Sequence, residues 1–434
     1  MSSEGKKSLH IIAVGHKDHG KSTALGHMLL QLGQIDLSEF KEIEKETLLR
    51  KKESFKFAWI TMRRKDERFH TSGTLTIDIS RTPLQTRNYI VTLVDAPGHP
   101  DFVHNMIKGA SIADAAILFV SAKDNEGIQR QTIEHIQLCK TFGIRQVIVA
   151  ISKMDLVNWS EERFNELKAE VSKLLAKIGY DVTKIPFIPI SGWTGDNLIK
   201  RSENMPWYQG PTLYEAIDKL EPPDSSYREK LPLRIPIQKT VNVTGVGTVV
   251  LGKVETGILQ CGDKVIILPT GKESSVKSIQ MWHKDLKIAK PGDGIGIKLR
   301  GVKEADVDRG FVICHPNERP PVVYPSGFII GKIIILPECR SIIREGFMPD
   351  IHIHEAQARC RIIELISRLD PSTFEPIEDH PSILRANDAA SVKIAPLKPL
   401  VVEKYSKIPS MGRFALREGG RTIAVGIIDD IKEK

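Results

Sequence analysis

Short apolar runs alternate with longer amphipathic stretches over the first half of the chain. The runs with the length of buried strands are Leu9 to Val14, Val91 to Val94, Gln146 to Ile151 and Pro186 to Ile190. Apolar residues at helical spacing predict helices over Gln129 to Phe142 and Glu161 to Ile178. Strands that alternate with helices predict an α/β domain with a mainly parallel sheet, which we place at residues 1–222.

The pattern changes near Leu220. Residues 221–230, EPPDSSYREK, have the composition of a linker. Beyond them the chain consists of short β-branched runs punctuated by glycine and proline, with a further break at residues 317–327, NERPPVVYPSG. Runs of this kind favour antiparallel barrels, so we predict a first β-barrel domain at 231–320 and a second at 325–434.

A glycine-rich segment follows the first predicted strand. It reads GHKDHGKS from Gly15 to Ser22, which is the pattern of a phosphate-binding loop, or P-loop. In such a loop the backbone N–H groups face a phosphate, Lys21 reaches the β and γ phosphates, and the Ser22 hydroxyl ligates Mg²⁺. The predicted nucleotide contacts of this segment are Gly15, His16, Lys17, Asp18, His19, Gly20, Lys21, Ser22 and Thr23. The chain is therefore predicted to bind a nucleotide.

Further motifs stand at the ends of the other predicted strands. Asp95 opens the sequence DAPGH after Val94, where its carboxylate would hold Mg²⁺ through water while the Gly98 N–H bonds the γ-phosphate. The sequence SKMD follows Ile151, and its Asp155 would accept hydrogen bonds from N1 and N2 of guanine, donors that adenine lacks. The predicted base contacts are Ser152, Lys153, Asp155, Ser191, Gly192 and Trp193. These strand ends predict GTP and GDP as ligands, together with Mg²⁺.

A threonine is the third predicted metal ligand. Thr76 begins the sequence TIDIS, downstream of a long polar segment, and its hydroxyl would complete the Mg²⁺ shell only when GTP is bound. Thr74 is the alternative ligand. A half-buried strand threonine fits the same pattern, because Ile77 and Ile79 alternate with polar neighbours.

These motifs resemble those of the translational GTPases, and within them the elongation factor 1-alpha and elongation factor Tu group in its archaeal and eukaryotic form. The segments that carry the resemblance are GHKDHGKST, TIDIS, DAPGHPDFVHNMIKGAS, SKMD, SGWTGDN, RSENMPWYQGPTL, TGVGTVVLGKVETG, PGDGIGIKLRG and MGRFALREGGRT. The resemblance implies a P-loop GTPase domain followed by two β-barrels. It also implies a monomer that delivers aminoacyl-tRNA to the ribosome, hydrolyses GTP and is reloaded by a guanine-nucleotide exchange factor. The implied catalytic residues are His99, which would position the attacking water, and Lys21.

Several positions depart from the family pattern. Lys17 stands where the family usually has valine, and its charge would either lie near the γ-phosphate or point to solvent. Ser152 replaces an asparagine whose amide ties the guanine-binding loop to the P-loop, so we expect this link to be lost. Loss of a hydrogen bond worth about 1 kcal/mol would make nucleotide release several-fold faster. With the altered segment Asp66 to Thr74, DERFHTSGT, these departures indicate either a divergent paralogue or a fast-evolving lineage.

Charge and hydropathy narrow the class of protein. The formal net charge is +8 and the isoelectric point is near 9.0. This balance suits an anionic partner such as tRNA, although a solvated surface would give it too. No apolar run reaches the roughly 18 residues that a membrane span needs, and the N-terminus MSSEGKKSLH has no apolar signal region. We therefore predict a cytoplasmic protein with no membrane contact.

Two other functions share these motifs. A paralogous GTPase that delivers a release or ribosome-rescue factor is the first, but such relatives usually carry a sizeable extension before the GTPase domain, whereas here the P-loop begins at Gly15. A non-hydrolysing guanine-nucleotide-binding scaffold is the second, because Lys17, Ser152 and the altered DERFHTSGT segment could have removed catalysis. The presence of His99, Lys21, Asp95 and Asp155 favours an active GTPase, since a decayed site would be expected to lose some of them.

Overall fold

The computed structural model describes residues 7–61, 80–96, 106, 109–110, 112–222, 225–243, 247–281, 284–337, 339–371 and 374–434. The chain divides into two compact units, Met1–Pro223 and Asp224–Lys434. A short helix at Ser225–Glu229 lies within the segment that was expected to be a linker, so this segment is more regular than its composition indicates.

A mixed sheet forms the centre of the first unit. Its strands are β1 (Lys7–Val14), β2 (Ser80–Gln85), β3 (Tyr89–Asp95), β4 (Ala115–Ser121), β5 (Gln146–Ser152) and β6 (Phe187–Pro189). Within the described residues they lie in the order β2-β3-β1-β4-β5-β6. Strand β2 is antiparallel to β3, and the other neighbouring pairs are parallel. The predicted mainly parallel sheet is confirmed.

Helices follow the strands, as the alternating pattern predicts. In the described part of the unit they are α1 (Lys21–Gln31), α2 (Leu37–Leu49), α3 (Ala58–Thr61), α4 (Arg130–Thr141), α5 (Glu161–Ile178) and α6 (Leu213–Asp218). Helix α5 begins after Ser160, whose hydroxyl accepts a hydrogen bond from the Arg163 N–H, and it ends at Gly179 with a φ of 92°. Its buried residues recur at helical spacing and are Phe164, Leu167, Val171 and Leu175. No helix in the described ranges is both long and apolar enough to cross a membrane.

The sheet brings several loops to one edge. Every residue of β4 is buried, as expected for an inner parallel strand that is covered on both faces. Because β1, β3, β5 and β6 run in the same direction, their carboxyl ends lie at the same edge. Ligands of open α/β sheets bind at this edge. The residues that end or follow these strands include Gly15, Asp95, Ser152 and Ser191.

The first barrel of the second unit is antiparallel. Its strands are β7 (Ile235–Val243), β8 (Gly247–Lys253), β9 (Leu259–Gln260), β10 (Lys264–Leu268), β11 (Lys272–Met281), β12 (Lys284–Leu286), β13 (Ile288–Ala289), β14 (Gly294–Leu299) and β15 (Val312–Cys314). The order β10-β15-β7-β8-β14-β11 closes through pairing of β10 with β11. A closed sheet of this kind leaves no free edge among these strands.

The second barrel is built in the same way. Its strands are β16 (Val322–Val323), β17 (Phe328–Ile335), β18 (Asp350–Ile353), β19 (Ala356–Leu369), β20 (Pro376–Asp379), β21 (Ala389–Pro396), β22 (Leu400–Val401), β23 (Arg413–Glu418) and β24 (Arg421–Lys432). The order β18-β23-β24-β17-β21-β19 closes through pairing of β18 with β19. Inward and outward residues alternate along β17, as one buried face requires. The prediction of two antiparallel barrels is confirmed.

A buried ion pair joins the two barrels. Arg234, just before β7, donates from Nε and Nη2 to Glu403 Oε1 at 2.9 and 2.7 Å, and each side chain is 1% exposed. The guanidinium also donates to the carbonyl oxygens of Leu233 and Glu318. An apolar cluster accompanies the pair and consists of Ile266, Leu268, Val312, Cys314, Val322, Val401, Ile408 and Met411. Polar and apolar contacts therefore both connect the barrels.

Candidate functional site

Two glycines shape the loop between β1 and α1. Gly15 has a φ of 134°, and a Cβ at this position would lie 2.4 Å from the Phe119 carbonyl oxygen. Gly20, the residue before α1, has a φ of 80°. Side chains are disfavoured at both positions, which explains the glycine spacing of the motif. The loop ends at the N-terminus of α1, where the helix dipole and free N–H groups favour a phosphate.

Lys21 is buried within the P-loop. Its Nζ donates hydrogen bonds to the carbonyl oxygens of Gly15, at 3.0 Å, and His16, at 2.7 Å. Burial lowers the pKa of Lys21 to about 8, although the charges of Asp95 and Asp18 act to raise it. The loop carbonyls thus hold the ammonium group where it is predicted to meet the β and γ phosphates.

Asp95 ends β3 beside the P-loop and is 2% exposed. Its carboxylate accepts hydrogen bonds from Ser22 and from Thr61, with 3.3 Å between Thr61 Oγ1 and Asp95 Oδ2. Burial raises the pKa of Asp95, while the Ser22 hydrogen bond and the charge of Lys21 act to lower it. The structure therefore brings together Lys21, Ser22 and Asp95, as the sequence predicts.

The oxygen atoms at this point fit a hard divalent cation. Asp95 Oδ1 is buried and has no hydrogen-bond partner in the described part of the chain. The Ser22 hydroxyl stands beside the same carboxylate. Mg²⁺ takes oxygen ligands and is usually bound through one or two carboxylates while it keeps several waters. The donor set of Ser22 and Asp95 therefore suits Mg²⁺.

Ser152 links the guanine-binding loop to the P-loop, contrary to the expectation from its length. Its hydroxyl donates to the His19 carbonyl oxygen at 2.7 Å and lies 3.3 Å from the Val120 carbonyl oxygen. The expected loss of this link is therefore wrong, and the serine bonds to the backbone of the P-loop instead.

Removal of the Ser152 hydroxyl should speed GDP release. The Ser152→Ala variant loses a buried hydrogen bond worth about 1 kcal/mol, so the release rate should rise about fivefold. Stopped-flow release of a fluorescent GDP analogue measures this rate. Ser274→Ala is the matched control, since Ser274 also donates to a backbone carbonyl, that of Arg300, but within the first barrel. Equal release from the wild type and Ser152→Ala would contradict the assigned link.

Lys153 and Asp155 follow Ser152 in a tight turn. Lys153 has a φ of 60°, and a 3₁₀ helix at Met154–Val157 continues from it. Lys153 Nζ lies 2.7 Å from Glu126 Oε2, and the two side chains are 21% and 25% exposed. Glu126 comes from the loop after β4 and was not identified from the sequence. It holds the lysine whose stem is predicted to lie over the guanine ring.

The loop after β6 packs against α1. Ser191 is buried, and its hydroxyl accepts a hydrogen bond from the Thr194 N–H at 3.1 Å. The Gly192 carbonyl oxygen lies 2.9 Å from His27 Nδ1, and a Cβ on Gly192 would lie 3.0 Å from the Ala24 nitrogen. Trp193 is 44% exposed. The predicted base-contacting loop is therefore fixed on the helix that follows the P-loop.

Two side chains of α4 support the P-loop from outside the motif. The Gly15 N–H donates to His135 Nδ1 at 3.3 Å, so this N–H faces α4. His16 Nδ1 lies 2.6 Å from Gln131 Oε1. Gln131 and His135 are four residues apart and share a face of α4. This spacing was the only signal in the sequence that the two side chains could act together. It did not identify them, because polar residues that share a helix face usually face solvent.

Acidification should destabilise this part of the molecule. Burial lowers the pKa of His19 and of His135 to about 3, from an ordinary value of 6.5. The unfolded chain then binds more protons than the folded chain below pH 6.5, so stability that is present above this pH is lost as the pH falls. At pH 5 each ring should lower the free energy of unfolding by about 2 kcal/mol. Thermal unfolding at pH 7 and pH 5 measures the loss.

The His135→Asn variant isolates one of the two rings. Its melting temperature at pH 7 should be lower than that of the wild type, but the further drop on going to pH 5 should be smaller. An equal drop in both proteins would show that His135 is not held neutral in the folded state.

Several predicted residues lie outside the described ranges. They are Gly98, His99, Thr76 and its alternative Thr74. Within the described loop Lys17 is half-buried, Asp18 is exposed, and Thr23 is half-buried at the start of α1. Their roles toward the nucleotide remain predictions.

Three family profiles match the chain. Residues 6–223 match the Elongation factor Tu GTP binding domain, residues 247–314 match Elongation factor Tu domain 2, and residues 330–429 match the GTP-eEF1A C-terminal domain-like family. The first profile alone covers half of the chain.

Similar proteins are known over the full length. The chain is 48% identical to Elongation factor 1-alpha of Ignicoccus hospitalis over 439 residues, which cover 100% of this chain and 98% of that protein. It is 47% identical to Elongation factor 1-alpha of Methanocaldococcus jannaschii over 431 residues, 99% of each protein. The solved GTPase-like domain of S. cerevisiae Ski7, bound to GTP, is 18% identical with a TM-score of 0.75 and covers 98% of this chain and 97% of its own.

The relation in sequence and the geometry of the site lead to one conclusion. Identity near one half over the whole length accompanies a formed P-loop, with Lys21 and Asp95 in place. The predicted GTPase activity is confirmed at the level of the family. The chain belongs to the elongation factor 1-alpha and elongation factor Tu family, and it is a GTPase of translation elongation.

Proposed function

We propose that this chain binds aminoacyl-tRNA in its GTP form, delivers it to the ribosomal A site and releases it when GTP is hydrolysed. The observation that carries the proposal is that Lys21, Ser22, Asp95 and Ser152 meet at one edge of the mainly parallel sheet. Full-length similarity to elongation factors 1-alpha supports the choice of cargo over a release or rescue factor.

Positive charge at the P-loop acts on the phosphates. The transferred phosphoryl group carries its charge on three oxygens, so catalysis depends chiefly on positioning and electrostatic stabilisation. The Lys21 ammonium is already fixed by two backbone carbonyls, so little rearrangement is needed when it meets a phosphate. The N-terminus of α1 adds its partial positive charge at the same point.

Ser22 and Asp95 would hold Mg²⁺, and Thr76 would join them in the GTP form. When bound, the ion neutralises charge on the β and γ phosphate oxygens. Asp95 contributes a carboxylate that is already ordered by hydrogen bonds to its neighbours. Thr76, on the segment before β2, would make the site sensitive to which nucleotide is present.

Guanine recognition and hydrolysis use different strand ends. Asp155 would accept hydrogen bonds from N1 and N2 of the base, and the stem of Lys153, whose Nζ pairs with Glu126, would lie over the ring. The Gly98 N–H would bond the γ-phosphate, and His99 would orient the attacking water. The base is thus bound after β5, and the reacting phosphate lies after β1 and β3.

The net charge of the chain and a basic residue of the first barrel support tRNA as the proposed partner. A net charge of +8 favours tRNA, and contacts with its phosphates would make binding weaker at high salt. Arg300, in the loop after β14, is our candidate for a contact near the tRNA end. We also propose that the chain is a cytoplasmic monomer whose GDP is replaced with the help of an exchange factor.

Ribosome-stimulated hydrolysis tests the choice of cargo. With programmed ribosomes, GTP hydrolysis should be fast only when aminoacyl-tRNA that matches the codon is present. Deacylated tRNA and mismatched aminoacyl-tRNA are the controls. Stimulation that does not depend on aminoacyl-tRNA would favour a paralogue that delivers a protein, and no stimulation by any of them would favour the scaffold.

A further inference from the structure

Thr61 reaches the candidate metal site from a part of the chain that carries no nucleotide-binding motif. It is the last residue of α3, whose four residues are buried. The segment packs closely on α1, since a Cβ on Gly26 would lie 1.9 Å from the Phe57 carbonyl oxygen. Trp59, in the same helix, has no exposed surface. Packing therefore fixes Thr61 beside the end of β3.

The Thr61 hydroxyl has two acceptors within reach. Its Oγ1 lies 2.9 Å from the Ala58 carbonyl oxygen and 3.3 Å from Asp95 Oδ2, and both side chains are 2% exposed. On Asp95, Oδ2 is the oxygen that faces Thr61, whereas Oδ1 has no hydrogen-bond partner in the described ranges. The carboxylate is therefore held with one oxygen toward Thr61 and the other left for a further ligand.

We propose that Thr61 is a positioning residue for Mg²⁺, because its hydroxyl sets the orientation of the Asp95 carboxylate. The terminal torsion of aspartate has broad minima, so without Thr61 the carboxylate would be held by the Ser22 hydrogen bond alone and would rotate more easily. Holding Oδ2 leaves Oδ1 for the ion or for one of its waters. This inference rests on the proposed binding of Mg²⁺ by Ser22 and Asp95.

Thr61 has a different role from Thr76. Thr76 is proposed to ligate the metal only in the GTP form, whereas the contact of Thr61 with Asp95 involves no group of the γ-phosphate. Loss of the Thr61 hydroxyl should consequently weaken Mg²⁺ binding in the GDP form as well. Release of GDP, which involves no hydrolysis, is therefore the appropriate measurement.

The experiment is a titration of GDP release with Mg²⁺. A fluorescent GDP analogue is bound to the wild type, Thr61→Val and Thr61→Ser, and its release is followed from chelator up to millimolar free Mg²⁺. In Thr61→Val, which has almost the same shape but no hydroxyl, the Mg²⁺ concentration for half-maximal slowing should rise about fivefold. Thr61→Ser keeps the hydroxyl and should stay within about twofold of the wild type.

Release of the GDP analogue in the presence of chelator shows whether Thr61→Val affects Mg²⁺ binding or the fold in general. With no free Mg²⁺, Thr61→Val and the wild type should release the analogue at similar rates. Faster release from Thr61→Val in chelator, with an unchanged half-maximal Mg²⁺ concentration, would show that Thr61 supports the fold alone and would overturn the inference.

The same titration distinguishes failure of the role of Thr61 from failure of the proposed Mg²⁺ site. Ser22→Ala serves as a positive control, because it removes a proposed ligand. If Mg²⁺ slows release from the wild type and Ser22→Ala weakens the effect, but Thr61→Val matches the wild type, the role of Thr61 alone is wrong. If Mg²⁺ does not affect the wild type, both the proposed Mg²⁺ site and the role of Thr61 are wrong.

Discussion

Replacement of His99 with alanine should leave GTP binding nearly intact and lower ribosome-stimulated hydrolysis about 10²- to 10⁴-fold. A group that positions and activates the attacking water contributes an effect of this size. Binding should survive because the residues proposed to hold the phosphates and the metal, Lys21, Ser22 and Asp95, do not depend on His99. Equilibrium binding of a fluorescent GTP analogue and single-turnover hydrolysis on programmed ribosomes measure the two quantities separately.

A control histidine in the other unit, where no nucleotide contact is predicted, separates this effect from general damage. His380 lies in the second barrel with a side chain 71% exposed, so His380→Ala should hydrolyse GTP at the wild-type rate. Equal stimulated rates for His99→Ala and the wild type would remove His99 from the mechanism. A large loss of GTP affinity in His99→Ala would instead assign it to binding.

Replacement of Glu403, the carboxylate of the buried ion pair between the barrels, should lower the free energy of unfolding more than any other substitution proposed for this chain. In Glu403→Gln the charge of Arg234 stays buried without its carboxylate, which destabilises a protein by about 3–5 kcal/mol. The guanidinium keeps its hydrogen bonds to two backbone carbonyls, but these do not neutralise it. Hydrogen exchange of the amides of β7 and β22 reports the free energy of opening at the two ends of the pair.

A double variant and a surface variant complete this test. Arg234→Met with Glu403→Leu removes both charges, so it should be more stable than Glu403→Gln alone. Lys407 also pairs with Glu403, at 3.4 Å, but its side chain is 51% exposed. Lys407→Met should therefore change the opening free energy by less than about 1 kcal/mol. An opening free energy in Glu403→Gln equal to that of the wild type would refute the role of the pair.

Local patterns predicted the elements of the first unit well. Helix α5 has buried residues at helical spacing, a serine at its N-terminus and a glycine at its end, so each signal favours the same bounds. The P-loop was predictable because Gly15 and Gly20 both have a positive φ, a backbone conformation that favours glycine. Such features depend on residues close together in the chain.

Contacts between distant segments could not be predicted in this way. Glu126 reaches Lys153 across 27 residues, Thr61 reaches Asp95 across 34, and Gly15 reaches His135 across 120. No periodicity relates such pairs, because the fold alone brings them together. Ser152 shows the same limit, since its short side chain suggested a lost link, whereas the fold brings the His19 carbonyl oxygen within 2.7 Å of its hydroxyl.

Protection of the aminoacyl ester tests the central claim most directly. The ester bond of aminoacyl-tRNA hydrolyses spontaneously in buffer, and a protein that encloses the aminoacyl end should slow this reaction. We expect the GTP-loaded protein to protect the ester and the GDP-loaded protein to leave it exposed. If the GTP-loaded protein gives no protection while it still binds guanine nucleotide, the chain does not carry aminoacyl-tRNA, and a protein cargo becomes the better account.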